Sequence, residues 1–354
     1  MLVDCHRFRR CLVLFAGALF FTTAAVDAHV RWFVQDGDEH AGLQHNLDGT
    51  NKVVLIGVAL YVILAVVVHR FSMSWKGPRR VVEWIHGIFE GKSLEWRTVA
   101  ILTGIMVFAN AASGFFLAPN LEFRTPGLTL WGRVAQVIVG ILLISHLSYV
   151  TAGVLIIGAV LHGATYFPMG LLVDYLCEFI SLAVALILLG PRLNPLDKRL
   201  VRLMELSPEN YDHLALPIIR VGTGLTLVIL AFHNKLLNPG LCVSFLDEYP
   251  LNFMPLLGFA EFTNLHFVFA AGVVELMFGL LLVAGIATRF TTGTLAIFFV
   301  ATLITVGPVE LVGHAPLFGI VLLFIVLLFI VQGSGPLALL KSMEIRAEPS
   351  GDSE

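Results

Sequence analysis

The chain has 354 residues, of which 57% are hydrophobic and only 13% charged. Charged residues make up about a quarter of an ordinary soluble domain, so this composition excludes one, and a net charge of −3 with no basic patch excludes a nucleic-acid surface. The four cysteines (Cys5, Cys11, Cys177 and Cys242) form no CxxC pair and no disulfide framework.

The first predicted element is a secretory signal peptide over 1–28: Arg7, Arg9 and Arg10 precede the apolar run "CLVLFAGALFFTTAAVDA". Cleavage after Ala28 makes His29 the mature terminus; cleavage after Ala25, or retention as an uncleaved anchor, are the alternatives. Residues 29–51 then form an exported segment with His29, His40, His45 and an acidic cluster, in which Trp32 and Phe33 read as an interfacial aromatic anchor. A span is expected over 52–69, followed by an amphipathic surface segment at 81–96 that closes the 52–96 region. Four more spans follow at 97–117, 130–148, 151–167 and 171–190, making a first unit of 97–192. After the basic linker 193–213 come spans at 214–234, 265–287, 290–307 and 314–332, a second unit of 214–336, and a tail at 337–354. Each run is long enough to cross roughly 30 Å of hydrocarbon or close to it. The fold class expected is therefore an all-α polytopic membrane protein with about nine transmembrane helices, one leading helix and two four-helix units.

Exporting residue 29 fixes the alternation of the spans. Of the 22 Lys and Arg residues, 17 then fall on the cytoplasmic side, and only Arg31, Lys52, Arg124, Arg133 and Lys235 on the other. That asymmetry matches the positive-inside rule and predicts a bacterial inner-membrane protein with a periplasmic N-terminus.

The two units can be laid over one another. "TGIMV" (103–107) parallels "TGLTL" (223–227) at an offset of 120, and "AQVIVGILLI" (135–144) parallels "VELMFGLLLV" (274–283) at 139. "TAGVLIIGAVLHGATYFP" (151–168) parallels "TTGTLAIFFVATLITVGP" (291–308) at 140. The order is kept, so the repeat is tandem and parallel, with about 19 extra residues in the second unit's first outer loop.

"RVGTGLTLVILAFHNKLLNPG" (220–240) and "ELMFGLLLVAGIATR" (275–289) resemble the DoxX/DoxD family of small four-helix membrane proteins. The first unit is similar in outline, with Gln136 in the place of Glu275 and Phe115 in that of Lys235. The resemblance implies quinone-linked oxidation, in the family associated with sulfur compounds, as one membrane subunit beside a redox partner subunit. On this expectation Glu275, His233 and Lys235 are the catalytic candidates, with Glu275 as proton acceptor. Arg220, which opens the motif, His266 and Glu310 are candidate groups around the quinone.

Ionisable residues at membrane depth are costly and mark sites or pathways. Glu275 lies well inside its span and needs a neutral form or a partner, Lys235 or a histidine. Asp174 and Glu178, four apart on one helix, read as a polar stripe facing the other unit. The rival reading is non-enzymatic: a periplasm-facing metal-binding protein or permease. A terminal His29 chelates through its amine and imidazole, and His40, His45 or His314 would complete a copper site.

Overall fold

The computed structural model describes residues 42–72, 94–119, 121–123 and 126–307. The signal peptide 1–28, His29, His40, Trp32, Phe33, most of the 81–96 segment, Glu310, His314, the 314–332 span and the tail lie outside the described residues.

Within them the chain is helical throughout and has no strand. The helices are α1 (Gly49–Ser72), α2 (Leu94–Ser113), α3 (Pro126–Ile144), α4 (Tyr149–Gly163), α5 (Met169–Leu193), α6 (Pro195–Leu203), α7 (Ala215–Leu230), α8 (Pro239–Glu248), α9 (Asn264–Ala284) and α10 (Thr288–Val306). A π-turn, Ala231–Leu236, continues α7. Among the described residues, five stretches are long and apolar enough to cross a membrane: Gly49–Val68, Trp96–Ser113, Met169–Leu193, Asn210–Leu236 and Asn264–Ala284. Three shorter apolar helices, Thr129–Ile144, Tyr149–Gly163 and Phe290–Thr305, accompany them. This is a multi-pass membrane protein. Outward-facing Val53, Ile56, Leu60 and Ile63 on α1 suit a bilayer, where lipid rather than water covers the apolar surface.

Residues 193–213 are more than a connector. Asn194 accepts from Leu196 N (2.7 Å), capping α6, and its amide donates back to Leu147 O (3.0 Å) at the α3–α4 turn. Asp197, fully buried on α6, accepts from the Tyr149 N–H at 2.7 Å. The first turn of α4 leaves its N–H groups without intrahelical acceptors; this carboxylate meets those of Tyr149 and Val150, and the Ser148 hydroxyl meets that of Thr151. The linker is thereby pinned beneath the first unit.

The helices pack in the order α2, α3, α4, α5, α7, α9, with α5 against α7 joining the two units. The leading α1 docks on α9 and α10, far along the sequence, where Tyr61 bonds Thr294 (2.8 Å) and stands edge-on to Phe278. Close crossings are set by glycine. A Cβ on Gly224 would lie 2.7 Å from Gly279 O, and one on Gly279 would lie 2.6 Å from Gly224 O. Gly104 and Gly140 face each other in the same reciprocal way, each 3.1 Å from the other's carbonyl oxygen. The offsets of 120 and 139 equate these two pairs, so the α2–α3 and α7–α9 crossings repeat one design.

Candidate functional site

At one end of the bundle α1, α5 and α9 begin and α7 finishes. There the π-turn carries His233, Asn234 and Lys235. Residues two apart on a helix point to nearly opposite sides, about 200° around the axis. His233 accordingly faces α5, and its Nδ1 donates to Asp174 Oδ1 at 2.9 Å. Lys235 faces α9, and its Nζ donates to Glu275 Oε2 at 2.7 Å. Gly272, one turn before Glu275, makes room for that reach: a Cβ there would stand 3.0 Å from Lys235 Cβ and 2.9 Å from Leu236 Cδ2. The carboxylate deep in α9 thus has an ammonium partner, and both side chains remain slightly open at 18% and 20% exposure.

A helix that ends inside a bundle must find donors for its last carbonyls. Here the Leu237 N–H meets Phe232 O (2.9 Å), and the next three carbonyls are met by side chains. Asn238 Nδ2 donates to His233 O (2.8 Å), Cys242 Sγ to Asn234 O (3.1 Å), and His45 Nε2 to Lys235 O (2.6 Å). Burial pushes the Cys242 thiol up to about 11, although the Lys235 charge opposes the shift, so it stays a donor at neutral pH. π-turns often mark functional positions, because the widened turn re-aims its side chains. The Asn234 side chain is left 1% exposed, and neither its amide nitrogen nor its amide oxygen has a hydrogen-bond partner. An unmet buried amide costs free energy and is worth a ligand's attention.

The other expected residues are placed as follows. His266 sits in the third position of α9. Its Nδ1 accepts from Thr263 N (3.2 Å), and its Nε2 donates to Asp48 Oδ2 (2.8 Å). Thr263 and His266 form a reciprocal cap, a structural task that the Thr-x-x-His spacing announces. Asp48 also accepts from Asn51 N (2.8 Å) at the start of α1; that bond first, and the His266 ring second, hold its carboxyl below the usual range. His45 lies at the site, with its ring edge on Phe269, its Nε2 on the π-turn and its Nδ1 buried without a partner. Arg220 is fully buried on α7, yet it precedes Lys235 by fifteen residues, about 20 Å along the axis. The structure does not bring it to the other candidates. Glu310, His29, His40 and His314 fall outside the described residues, and among those described no three His, Cys, Asp or Glu side chains are grouped to hold a metal.

The first unit uses the equivalent positions differently. Gln136 Oε1 accepts from Leu117 N (2.7 Å), and its Nε2 donates to Phe115 O (3.0 Å). Leu117 has a φ of 59°, a left-handed conformation costly for a branched side chain. Gln136, with Asn110 donating to Leu117 O (2.9 Å), holds it there. An amide braces a loop where the second unit sets a charged pair.

No family model matches the chain, and neither a curated protein nor a solved structure is found to be similar to it.

Proposed function

We propose that the protein is the membrane subunit of a quinone-linked oxidoreductase of the DoxX/DoxD kind. It resides in a bacterial inner membrane with the π-turn end of the bundle toward the periplasm. The observation that carries the reading is the pairing on one turn of two proton-exchanging couples, Lys235–Glu275 and His233–Asp174, around the unmet amide of Asn234. A quinone ring needs a donor or acceptor for its oxygens, a proton-exchanging group beside them and an apolar approach. The amide, the two couples and the surrounding apolar helices fit those needs.

A bound quinone supplies a two-electron, two-proton couple, with electrons exchanged with a redox partner subunit. The chain's own residues handle the rest. Asn234 orients the ring through its free amide. Glu275 accepts a proton, and Lys235 holds its carboxylate in place through the 2.7 Å hydrogen bond. Asp174 fixes His233 as the Nδ1–H tautomer and leaves Nε2 as the exchangeable nitrogen. A general base in a poorly solvated pocket is the arrangement that such a transfer requires.

The test is Glu275→Gln, which keeps the shape and much of the hydrogen bonding but removes the base. Membranes carrying the variant should contain normal amounts of the protein and lose oxidation of a short-chain quinol, the direction in which protons leave the ring. Full activity in the glutamine variant would leave Glu275 as a hydrogen-bonding strut and defeat the assignment.

A further inference from the structure

Below the π-turn the seam between α5 and α7 holds more polar groups than helix packing needs. Asp174 is 1% exposed and Glu178, one turn deeper on α5, is 4% exposed. Each has a carboxyl oxygen, Asp174 Oδ2 and Glu178 Oε1, that is buried and has no hydrogen-bond partner. On α7 the buried Thr223 hydroxyl is likewise unmet. No cation lies within ion-pair distance of Glu178 among the described residues. A buried carboxyl with no countercharge beside it is costly to keep in a purely structural role. Structural packing does not explain why the two residues are acids, because Gln or Met would fill the volume without that penalty.

The geometry points to a proton relay along this seam, with His233 as the entrance, Asp174 as the intermediate station and Glu178 as the internal store. His233 is 17% exposed and opens toward the aqueous end, while its Nδ1–H is already directed at Asp174. A proton taken up at His233 Nε2 releases the Nδ1 proton to the Asp174 carboxylate. Asp174 then passes it down one helical turn to refill a Glu178 carboxylate that has given up its own proton, and the same steps run in reverse empty the store. Residues four apart on a helix have Cβ atoms roughly 5–6 Å apart, a gap that a rotamer change or one water closes. Each donor is left as its conjugate base, and the net result is one proton moved from the aqueous end to Glu178. Chains of Asp, Glu and His at membrane depth are the usual means of such transfer. The relay stands whether or not a quinone occupies the π-turn, since it needs only water at His233.

Infrared spectroscopy of the purified full-length protein in neutral-lipid discs tests it directly, with no substrate added. At neutral pH the wild type should show the C=O stretch of a buried protonated carboxylic acid, and Glu178→Gln should remove that band. After transfer to D2O the band should shift as the proton exchanges. Asp174→Asn should slow that exchange by about ten-fold or more, because the intermediate station is lost. Gly293→Ala on α10, with nothing within 4 Å of its Cβ position, should change neither band nor rate. A wild-type protein without the band, a band that survives Glu178→Gln, or equal exchange in Asp174→Asn would overturn the relay. Should Glu178→Gln not fold, the Asp174→Asn rate on the intact store decides alone.

Discussion

Gly224→Ala probes the crossing that holds the charged pair together. The added methyl would meet Gly279 O at 2.7 Å, Val283 Cγ2 at 2.8 Å and Val283 N at 2.9 Å, where ordinary contact begins at 3.4 Å. Two of those three atoms are backbone, so α7 and α9 must separate by roughly 0.7 Å, because no side chain can swing away. Overpacking of this kind costs about 1–3 kcal/mol, against which alanine returns up to about 1 kcal/mol of helix propensity. The expected net loss of about 1–2 kcal/mol corresponds to a fall in Tm of about 1–3 °C for a chain of 354 residues. Gly293→Ala on α10 is the control, since nothing lies within 4 Å of its Cβ position. Thermal unfolding of detergent-solubilised protein reads both. The α7–α9 reasoning fails if Gly224→Ala melts with the wild type, or if Gly293→Ala falls as far.

Gln136→Leu should strip partners from the buried Leu117 N–H and the Phe115 carbonyl, costing roughly 1–3 kcal/mol for each group left unmet, and lower Tm without affecting quinone binding. Asp48 has its carboxyl held low by Asn51 and His266, so its contribution is present above the ordinary carboxylate pKa of 3.8 and fades as pH falls below it. Asp48→Asn should therefore melt below the wild type at pH 7, with the gap narrowing as pH falls below 3.8; a gap that stays constant down to pH 3 would mean that the ionised carboxylate is not its source. A reporter active only in the periplasm should be active when fused within 238–264 and silent within 192–212. The opposite pattern would reverse the sidedness taken from the charge distribution.

The eight apolar runs expected before residue 308 each fall on a helix; five of these helices are long and apolar enough to cross a membrane and three are shorter, because a long apolar run has to satisfy its backbone within itself. What hydropathy does not carry is what happens between them. α8, "PGLCVSFLDE", is too short and mixed to register, yet it occupies the extra loop of the second unit and brings Cys242 to the π-turn. α6 reads as a basic connector until Asp197 is seen capping α4. Glu275 could be recognised as needing a partner from its depth alone, and Lys235 was among the choices. The His233–Asp174 pair was not legible, since two residues 59 apart on different helices meet only once α5 and α7 are docked. Arg220 entered through its place in a motif, but helical rise alone puts it on another level. His266 shows the reverse error, a titratable residue near a site that is already employed as a cap.

The π-turn is proposed to hold a quinone between Asn234 and the two proton-exchanging pairs. Binding of a short-chain quinone to purified protein in lipid discs measures it, without any assumption about the reductant. The wild type should bind saturably, one quinone per chain. Asn234→Leu should weaken that binding by about ten-fold, one lost hydrogen bond in a poorly solvated site, while the protein remains folded. No saturable binding to the wild type, or equal affinity in Asn234→Leu, would contradict the account.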